Sequence, residues 1–192
     1  MYIIGGTYKR KPLVSPKGLV TRPTSGRLRE SLFNICQHFI DGARFLDLFA
    51  GSGAIGLEAV SRGASRAVFV DSSRESQKCI QQNIESLNVG KSCRVICADI
   101  AVALERLLQS KEQFDVIYAD PPYDALMEWK GKEMTCSLMV LSIVDQGALL
   151  APGGYLFIEE SDRFQIPELQ TLQLKSARRM GRSTLHQFEK IS

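Results

Sequence analysis

The sequence predicts an α/β fold built on a doubly wound, mostly parallel β-sheet. Short apolar runs alternate with helical patterns between residues 45 and 159, and a glycine-rich turn follows the first of these runs. The chain has 192 residues, the length of one ordinary domain. Its 44% hydrophobic and 23% charged residues are close to globular averages, so we expect an ordered protein rather than a disordered or fibrous one.

The apolar runs have the length and composition of buried strands, and the segments between them repeat apolar residues at helical spacing. The pattern predicts strands at 45–49, 67–70, 94–97, 114–119 and 155–159, and helices at about 55–63, 74–89, 99–108 and 133–145. Two more strands, at 171–177 and 183–191, flank Arg179-Met180-Gly181-Arg182, which is typical of a hairpin turn. We therefore expect seven strands with an antiparallel C-terminal hairpin.

The first 40 residues do not follow this alternation. Residues 2–20 are strand-like and basic, and Thr24-Ser25 is a candidate helix N-cap. One face of the helix that follows carries Leu28, Leu32, Ile35, Cys36, Phe39 and Ile40. We expect a small basic extension over residues 1–40, packed beside the sheet, and a main domain over residues 41–192.

Charged residues are segregated along the chain. Residues 1–30 carry seven Lys or Arg and one Glu, and residues 175–192 carry five and one, which gives net charges of +6 and +4. The residues between them have a net charge of −7, so the whole chain is only +3. Basic ends that converge in space attract a polyanion such as nucleic acid. The alternative interpretation is that they are ordinary solvated surface charges.

The sequence contains no sign of a membrane segment, a secretion signal or a metal site. No apolar run approaches the roughly 20 residues that span a bilayer, and the first residues lack a signal-peptide pattern, so we expect a cytoplasmic protein. Its five cysteines include no C-x-x-C pair and it has only two histidines, so we expect no metal site.

Gly51-Ser52-Gly53-Ala54-Ile55-Gly56 is a full G-x-G-x-x-G motif between a predicted strand and a predicted helix. Asp71 lies 20 residues beyond Gly51, at the end of the next strand, where a carboxylate can accept both hydroxyls of a ribose. The motif therefore predicts a site for a nicotinamide dinucleotide or for S-adenosylmethionine. The alternative interpretation is a tight turn with no ligand.

Asp120-Pro121-Pro122-Tyr123 follows the fourth predicted strand. Two prolines fix two φ angles and offer no N–H donors, so this turn holds its carbonyl oxygens rigidly outward. An exocyclic base amine is a poor nucleophile because its lone pair is delocalised into the ring. The Asp120 carboxylate and the Pro121 carbonyl can accept its two N–H groups and localise that lone pair toward a methyl sulfonium, while Tyr123 stacks on the base. This motif favours S-adenosylmethionine as the cofactor; an ordinary turn is the alternative.

Phe49-Ala50-Gly51-Ser52-Gly53 together with the Asp-Pro-Pro-Tyr motif resembles the S-adenosylmethionine-dependent methyltransferases that act on base amines. Four further segments resemble, in chain order, the bacterial RsmD family of 16S ribosomal RNA guanine-N2 methyltransferases: Ile3-Ile4-Gly5-Gly6, Arg22-Pro23-Thr24, 27–34 and 46–59. The similarity extends from residue 2 to about residue 188. The chain departs from the family at Arg10, where Gly is common, and at Pro12, where a basic residue is common.

The resemblance implies a Rossmann-like class I S-adenosylmethionine-dependent methyltransferase, without a metal, that acts as a monomer on the RNA of the small subunit or on the assembled 30S subunit. The family's usual target is guanine 966. Catalysis would rest on Asp120, Pro121, Pro122 and Tyr123. The implied cofactor residues are Asp47, Phe49, Gly51, Gly53, Asp71, Asp99 and Ile100, and the candidate RNA contacts are Arg10, Arg22, Arg27, Arg29, Arg179 and Arg182.

Several alternatives remain open at this point. Asp99 is equally well placed as a helix N-cap, and Asp47 as an acceptor for loop amides. The Asp-Pro-Pro-Tyr motif also allows adenine-N6 methylation of DNA or RNA. A nicotinamide-dependent oxidoreductase would use the glycine motif, but it leaves the Asp-Pro-Pro-Tyr motif without a role. A non-catalytic RNA-binding module is the third possibility.

Overall fold

A computed structural model describes residues 1–16, 26–122 and 126–191 of the chain. Within these residues, five α-helices accompany nine β-strands. The helices are α1 (Gly26–Cys36), α2 (Ala54–Ser61), α3 (Arg74–Leu87), α4 (Ile100–Gln109) and α5 (Cys136–Gln146). The strands are β1 (Arg44–Leu48), β2 (Arg66–Asp71), β3 (Cys93–Cys97), β4 (Phe114–Ala119), β5 (Leu126–Trp129), β6 (Lys132–Thr135), β7 (Leu150–Ser161), β8 (Leu172–Met180) and β9 (Ser183–Lys190).

Seven strands form one sheet in the order β3-β2-β1-β4-β7-β9-β8, and β5 pairs with β6 in a separate two-stranded sheet. β2 is parallel to β1 and to β3, and β7 is parallel to β4. β9 is antiparallel to both β7 and β8. The predicted α/β fold, with seven strands in a mostly parallel sheet and an antiparallel C-terminal hairpin, is thus confirmed.

The chain forms two compact units, Met1–Ile100 and Ala101–Ser192. In the first, β1 and β2 are nearly continuous buried runs, as expected for parallel strands whose two faces are covered. α2 is buried over most of its surface and packs closely on β2. A side chain at Gly56 would come within 2.4 Å of the Phe69 ring, so glycine at this position permits the close approach of helix and strand.

Residues 1–16 fold back on themselves and pack on α2 and α3. Their strand pairing is limited to one antiparallel bridge between Tyr2 and Pro12. The fully buried carboxylate of Glu58, in α2, accepts the backbone N–H groups of Ile4 and Gly5, each at 2.7 Å. Because a buried carboxylate needs such donors, Glu58 fixes the position of this segment on the first unit.

α1 ends earlier than the apolar spacing predicts. The backbone N–H groups of Phe39 and Ile40 both bond to the carbonyl of Cys36, at 2.9 Å, and this turn closes the helix before residue 40. The predicted cap at Thr24-Ser25 lies outside the described residues.

In the second unit, the helix predicted over 133–145 begins only at Cys136. Residues 126–135 form instead the β5–β6 hairpin, whose two-residue turn has positive φ angles at Lys130 and Gly131. A loop with two positive φ angles matches the twist of the paired strands, which explains why a hairpin replaces the first helical turn. Throughout the described part of the chain, every helix is too short or too polar to cross a membrane.

β7 begins five residues before the strand predicted at 155–159. It runs through Pro152, Gly153 and Gly154, although proline and glycine are depleted in strands. A register shift against β4 accommodates the additional residues, because Phe114 pairs with Leu150 while Val116 pairs with Tyr155.

Candidate active site

The glycine motif forms an open turn at the carboxyl end of β1. Phe49, Gly51 and Gly53 have φ angles of 61°, 55° and 76°, and the turn closes through a 2.7 Å bond from the Gly53 N–H to the Ala50 carbonyl. A Cβ atom at Gly51 would meet nothing within 4 Å. The turn therefore offers bare backbone beside open space, which is what a nucleotide-like cofactor requires of this loop. Phe49 holds a conformation that is strained for a bulky residue, as at many functional sites.

Asp71 lies at the carboxyl end of β2, beside this turn. One oxygen of its carboxylate accepts the Gly51 N–H at 2.8 Å and the other accepts the Ser73 N–H at 2.8 Å. Each carboxylate oxygen has a second lone pair, so Asp71 can accept two further hydroxyl protons. This arrangement fits the ribose of an adenosine-containing cofactor.

Asp47 is almost fully buried in β1, and its Oδ2 atom accepts the Gly56 N–H at 2.9 Å. It therefore braces the first turn of α2, which agrees with its alternative role as an acceptor for amides. Asp99 and Ile100 follow β3: Asp99 is exposed in the N-cap position of α4, whereas Ile100 is buried as the first residue of that helix. Asp71 pairs with Cys97, so the ends of β2 and β3 lie side by side.

Asn83 is a structural residue of this region whose role was not predicted. Its buried side-chain amide donates to the carbonyl of Ser52 at 2.9 Å and to that of Val14 at 3.0 Å, and its Oδ1 accepts the Val14 N–H at 2.9 Å. It thus joins the glycine turn to the N-terminal segment. The helical spacing placed Asn83 on the apolar face of α3, where a buried amide requires polar partners, and that was the available signal.

In the second unit, Asp120, Pro121 and Pro122 follow β4 directly. Asp120 is half-buried, Pro121 is buried and Pro122 is exposed. Tyr123 lies outside the described residues. Because proline lacks an N–H group and has a fixed φ angle, this segment presents acceptors without competing donors. The arrangement can receive a group that donates two N–H bonds.

A buried polar network supports the end of β4. The Tyr118 hydroxyl donates to Glu159 Oε2 at 3.2 Å, and the Ser183 hydroxyl donates to Glu159 Oε1 at 2.6 Å. All three side chains are buried. The network connects β4, β7 and β9 within the second unit, two residues before Asp120.

The predicted RNA contacts of the first unit have different environments. Arg27 is exposed on α1, and Arg10 is exposed in a turn with a φ angle of 68°. Arg22 lies outside the described residues.

The prediction that Arg29 contacts RNA is wrong, because its side chain is buried. The guanidinium donates to the Tyr2 carbonyl at 3.0 Å and lies 3.9 Å from the Glu58 carboxylate. Burial lowers the pKa of Arg29, and the charge of Glu58 opposes this effect. Arg29 therefore anchors the N-terminal segment.

Arg179 and Arg182 lie at the C-terminal hairpin and are both exposed. Gly181 takes the first position of the two-residue turn with a φ angle of 77°, the pattern of a type II′ turn. Among residues 1–16, 26–122 and 126–191, there is no cluster of three or more His, Cys, Asp or Glu side chains arranged to hold a metal ion.

Comparisons with known proteins place this arrangement in context. The model of the family described as conserved hypothetical protein 95 matches residues 1–189. The Bacillus subtilis protein YlbH, whose description proposes an rRNA methyltransferase, is 33% identical over 168 residues, which cover 88% of this chain and 86% of that protein. Ribosomal RNA small subunit methyltransferase D of Escherichia coli (strain K12) is 37% identical over 121 residues, which cover 63% of this chain and 59% of that protein.

Among solved structures, the Escherichia coli protein yhhF, described as a proposed methyltransferase, has 28% sequence identity and a TM-score of 0.81. The alignment covers 100% of this chain and 98% of that one. The likeness confirms the expected Rossmann-like fold of S-adenosylmethionine-dependent methyltransferases. Because the family model matches nearly the whole chain, this protein belongs to that family, the RsmD family that its motifs resemble.

Proposed function

We propose that this protein methylates ribosomal RNA, transferring a methyl group from S-adenosylmethionine to the exocyclic N2 amine of a guanine in 16S RNA. Two relatives support methylation of ribosomal RNA, since one is named an rRNA small subunit methyltransferase and the description of the other proposes an rRNA methyltransferase. The choice of the target atom and nucleotide, the N2 amine of guanine 966, follows from the family resemblance. The protein would work in the cytoplasm on naked RNA or on the assembled 30S subunit.

The residues of the first unit fit the cofactor. The free acceptor positions of Asp71 would receive the ribose hydroxyls. The open backbone at Gly51 would admit the methionine part, together with Gly53, Asp47 and Phe49. Asp99 and Ile100 would meet the edge of the adenine. When bound, S-adenosylmethionine supplies a methyl group activated by its sulfonium charge.

The observation that carries the proposal is the Asp120-Pro121-Pro122 segment directly after β4. The Asp120 carboxylate and the Pro121 carbonyl would each accept one N–H of the base amine, which localises its lone pair for attack on the methyl carbon. As the N–C bond forms, the bond from sulfur to the methyl group would break, S-adenosylhomocysteine would leave, and the amine would lose one proton to solvent. Tyr123 would stack on the base and hold it in line. These acceptors need neither a metal nor a covalent intermediate with the enzyme.

Five of the arginines that the sequence analysis singled out would hold the RNA backbone. The phosphates would be contacted by Arg10, Arg22 and Arg27, in the extension over residues 1–40, and by Arg179 and Arg182. These contacts would position the RNA. A guanine in an RNA loop costs less to move out of its stack than a base in a duplex, which favours a structured RNA as the substrate.

Replacing Asp120 with alanine tests the proposal. We expect Asp120→Ala to abolish methyl transfer while changing RNA affinity little, since the side chain contacts the reacting amine and not the backbone. Asp115→Asn, at the other end of β4, is the matched control and should retain activity. Normal turnover by Asp120→Ala would overturn the assigned role.

A further inference from the structure

A pocket of about 350 Å³ in the second unit is lined by Ser161, Asp162, Arg163, Arg179 and Arg182. Three cations and one carboxylate give this lining a net charge of +2. Like charges gathered around so small a volume repel each other unless an anion lies between them. We call these five residues the arginine pocket.

The arginine pocket lies at the carboxyl edge of the parallel strands, where Asp120 also lies. Ala119, the last residue of β4, pairs with Ile158 of β7, and β7 continues for three residues to Ser161. At about 3.3 Å per residue, this extension is about 10 Å long. Ser161 pairs with Ser183, directly after the turn that carries Arg182.

Asp162 contacts one residue in each strand of the C-terminal hairpin. Its Oδ1 accepts the Thr184 hydroxyl at 2.9 Å, and its Oδ2 lies 2.9 Å from Arg179 Nη2. Arg179 also donates from Nε to the Gly181 carbonyl at 3.3 Å. These contacts direct the guanidinium toward Asp162, and it retains further N–H groups for an anion.

Buried hydrogen bonds support the turn between β8 and β9. The Ser183 hydroxyl donates to the buried Glu159 at 2.6 Å, and Glu159 also accepts the hydroxyl of Tyr118 in β4. A binding site that is supported by buried hydrogen bonds loses little entropy when its ligand arrives. These buried bonds fix the backbone that carries the arginine pocket, whose arginine side chains are themselves exposed.

We propose that the arginine pocket binds one backbone phosphate of the RNA substrate, with Arg163, Arg179 and Arg182 as the donors. The inference rests on the proposed function, because it takes RNA as the substrate. Guanidinium groups match phosphate oxygens in geometry and remain charged at all accessible pH values. A phosphodiester carries a single negative charge, which the net charge of +2 accommodates without removing Asp162.

The test measures the Kd of the full chain for unmodified 16S RNA, transcribed in vitro, as a function of KCl concentration. We expect the double variant Arg163→Gln/Arg182→Gln to bind about tenfold more weakly at 0.15 M salt. The plot of log affinity against log salt has a negative slope, and this slope should become less steep by about 0.7 to 0.9 for each phosphate contact that is lost. Arg178→Gln is the matched control: Arg178 is an exposed arginine of β8, outside the pocket, and it projects from the opposite face to Arg179.

Asp162→Asn supplies a test of opposite sign. Asparagine retains an acceptor for Thr184 but removes the only negative charge of the pocket. We expect RNA to bind several-fold more tightly to this variant and with a steeper salt dependence. An unchanged Kd and slope for the arginine double variant would overturn the proposal, as would unchanged or weaker binding by Asp162→Asn.

Methyl transfer separates this inference from the proposed function. If both hold, the arginine double variant should have a raised KM for RNA and a nearly unchanged kcat, the reverse of Asp120→Ala. If the wild-type protein transfers no methyl group to RNA, the proposed function fails while the binding measurements still report on the pocket. If the wild-type enzyme is active and the arginine double variant binds RNA normally, only the proposal that the arginine pocket binds a phosphate is overturned.

Discussion

The carboxylate of Asp71 accepts the backbone N–H of Gly51 at 2.8 Å and thereby joins the carboxyl ends of β2 and β1. The bond holds the glycine turn beside the group that would bind the ribose. A single residue thus shapes the glycine turn and, in the proposed function, would also contribute to recognition of the cofactor.

Replacing Asp71 with asparagine should weaken the binding of S-adenosylmethionine by about tenfold or more. A hydrogen bond to a charged acceptor contributes about 1.5 to 3 kcal/mol, and asparagine retains only one acceptor oxygen. Isothermal titration calorimetry measures the affinity. Glu75→Gln, in the first turn of α3, is the control, and an unchanged affinity for Asp71→Asn would remove Asp71 from the cofactor site. In the same measurement the wild-type protein should not bind NAD.

Replacing Arg10 with glycine should stabilise the fold and weaken RNA binding. The φ angle of 68° costs a non-glycine residue about 1 kcal/mol, which glycine avoids. Loss of the charge should lower the salt dependence of RNA affinity. Thermal unfolding and RNA titration measure the two effects. Lys9→Gly is the control: Lys9 lacks a positive φ angle, so its replacement should lower the stability. A destabilised Arg10→Gly variant would contradict the account of this turn.

Acid should destabilise the second unit through His186. Its ring is buried between Phe164 and Phe188, and burial lowers the pKa of this histidine below its usual 6.5. The unfolded chain therefore binds the proton more readily. The contribution of the neutral ring is complete above pH 6.5 and is lost as the pH falls through 6.5 toward the folded pKa, at no more than about 1.4 kcal/mol per pH unit.

Urea denaturation at pH 7.5 and pH 5.5 measures this loss. The variant His186→Phe should lose less stability between the two pH values than the wild-type protein. The matched control is His38→Gln, at the other histidine of the chain, whose side chain is exposed. Equal pH dependence in the wild type and in His186→Phe would contradict the assignment.

The sequence was most informative where function and fold depend on local pattern. The apolar runs located β1, β2, β3, β4 and β7 because buried parallel strands are continuous in sequence. The hairpin-turn pattern located β8 and β9, which are antiparallel. The glycine motif likewise predicted the turn after β1, since its positive φ angles favour glycine.

The misassigned residues depend on contacts between distant segments. Arg29 lies three and four residues before Leu32 and Phe33, so its spacing already put it on the buried face of α1. Its burial is stable only because Glu58 and the Tyr2 carbonyl are present, and periodicity does not report such partners. Asp162 was overlooked for the same reason, since its partners Thr184 and Arg179 belong to other strands.

The most direct test of the central claim is to identify the methylated nucleoside. The purified protein is incubated with labelled S-adenosylmethionine and with unmodified 30S subunits, their naked 16S RNA or DNA, and the products are digested to nucleosides. We predict N2-methylguanosine from the subunits or from their RNA, and the more active of the two identifies the substrate. N6-methyladenine would retain the role of Asp120 but contradict the assignment of the base, and the absence of any methylated product would contradict the proposed function.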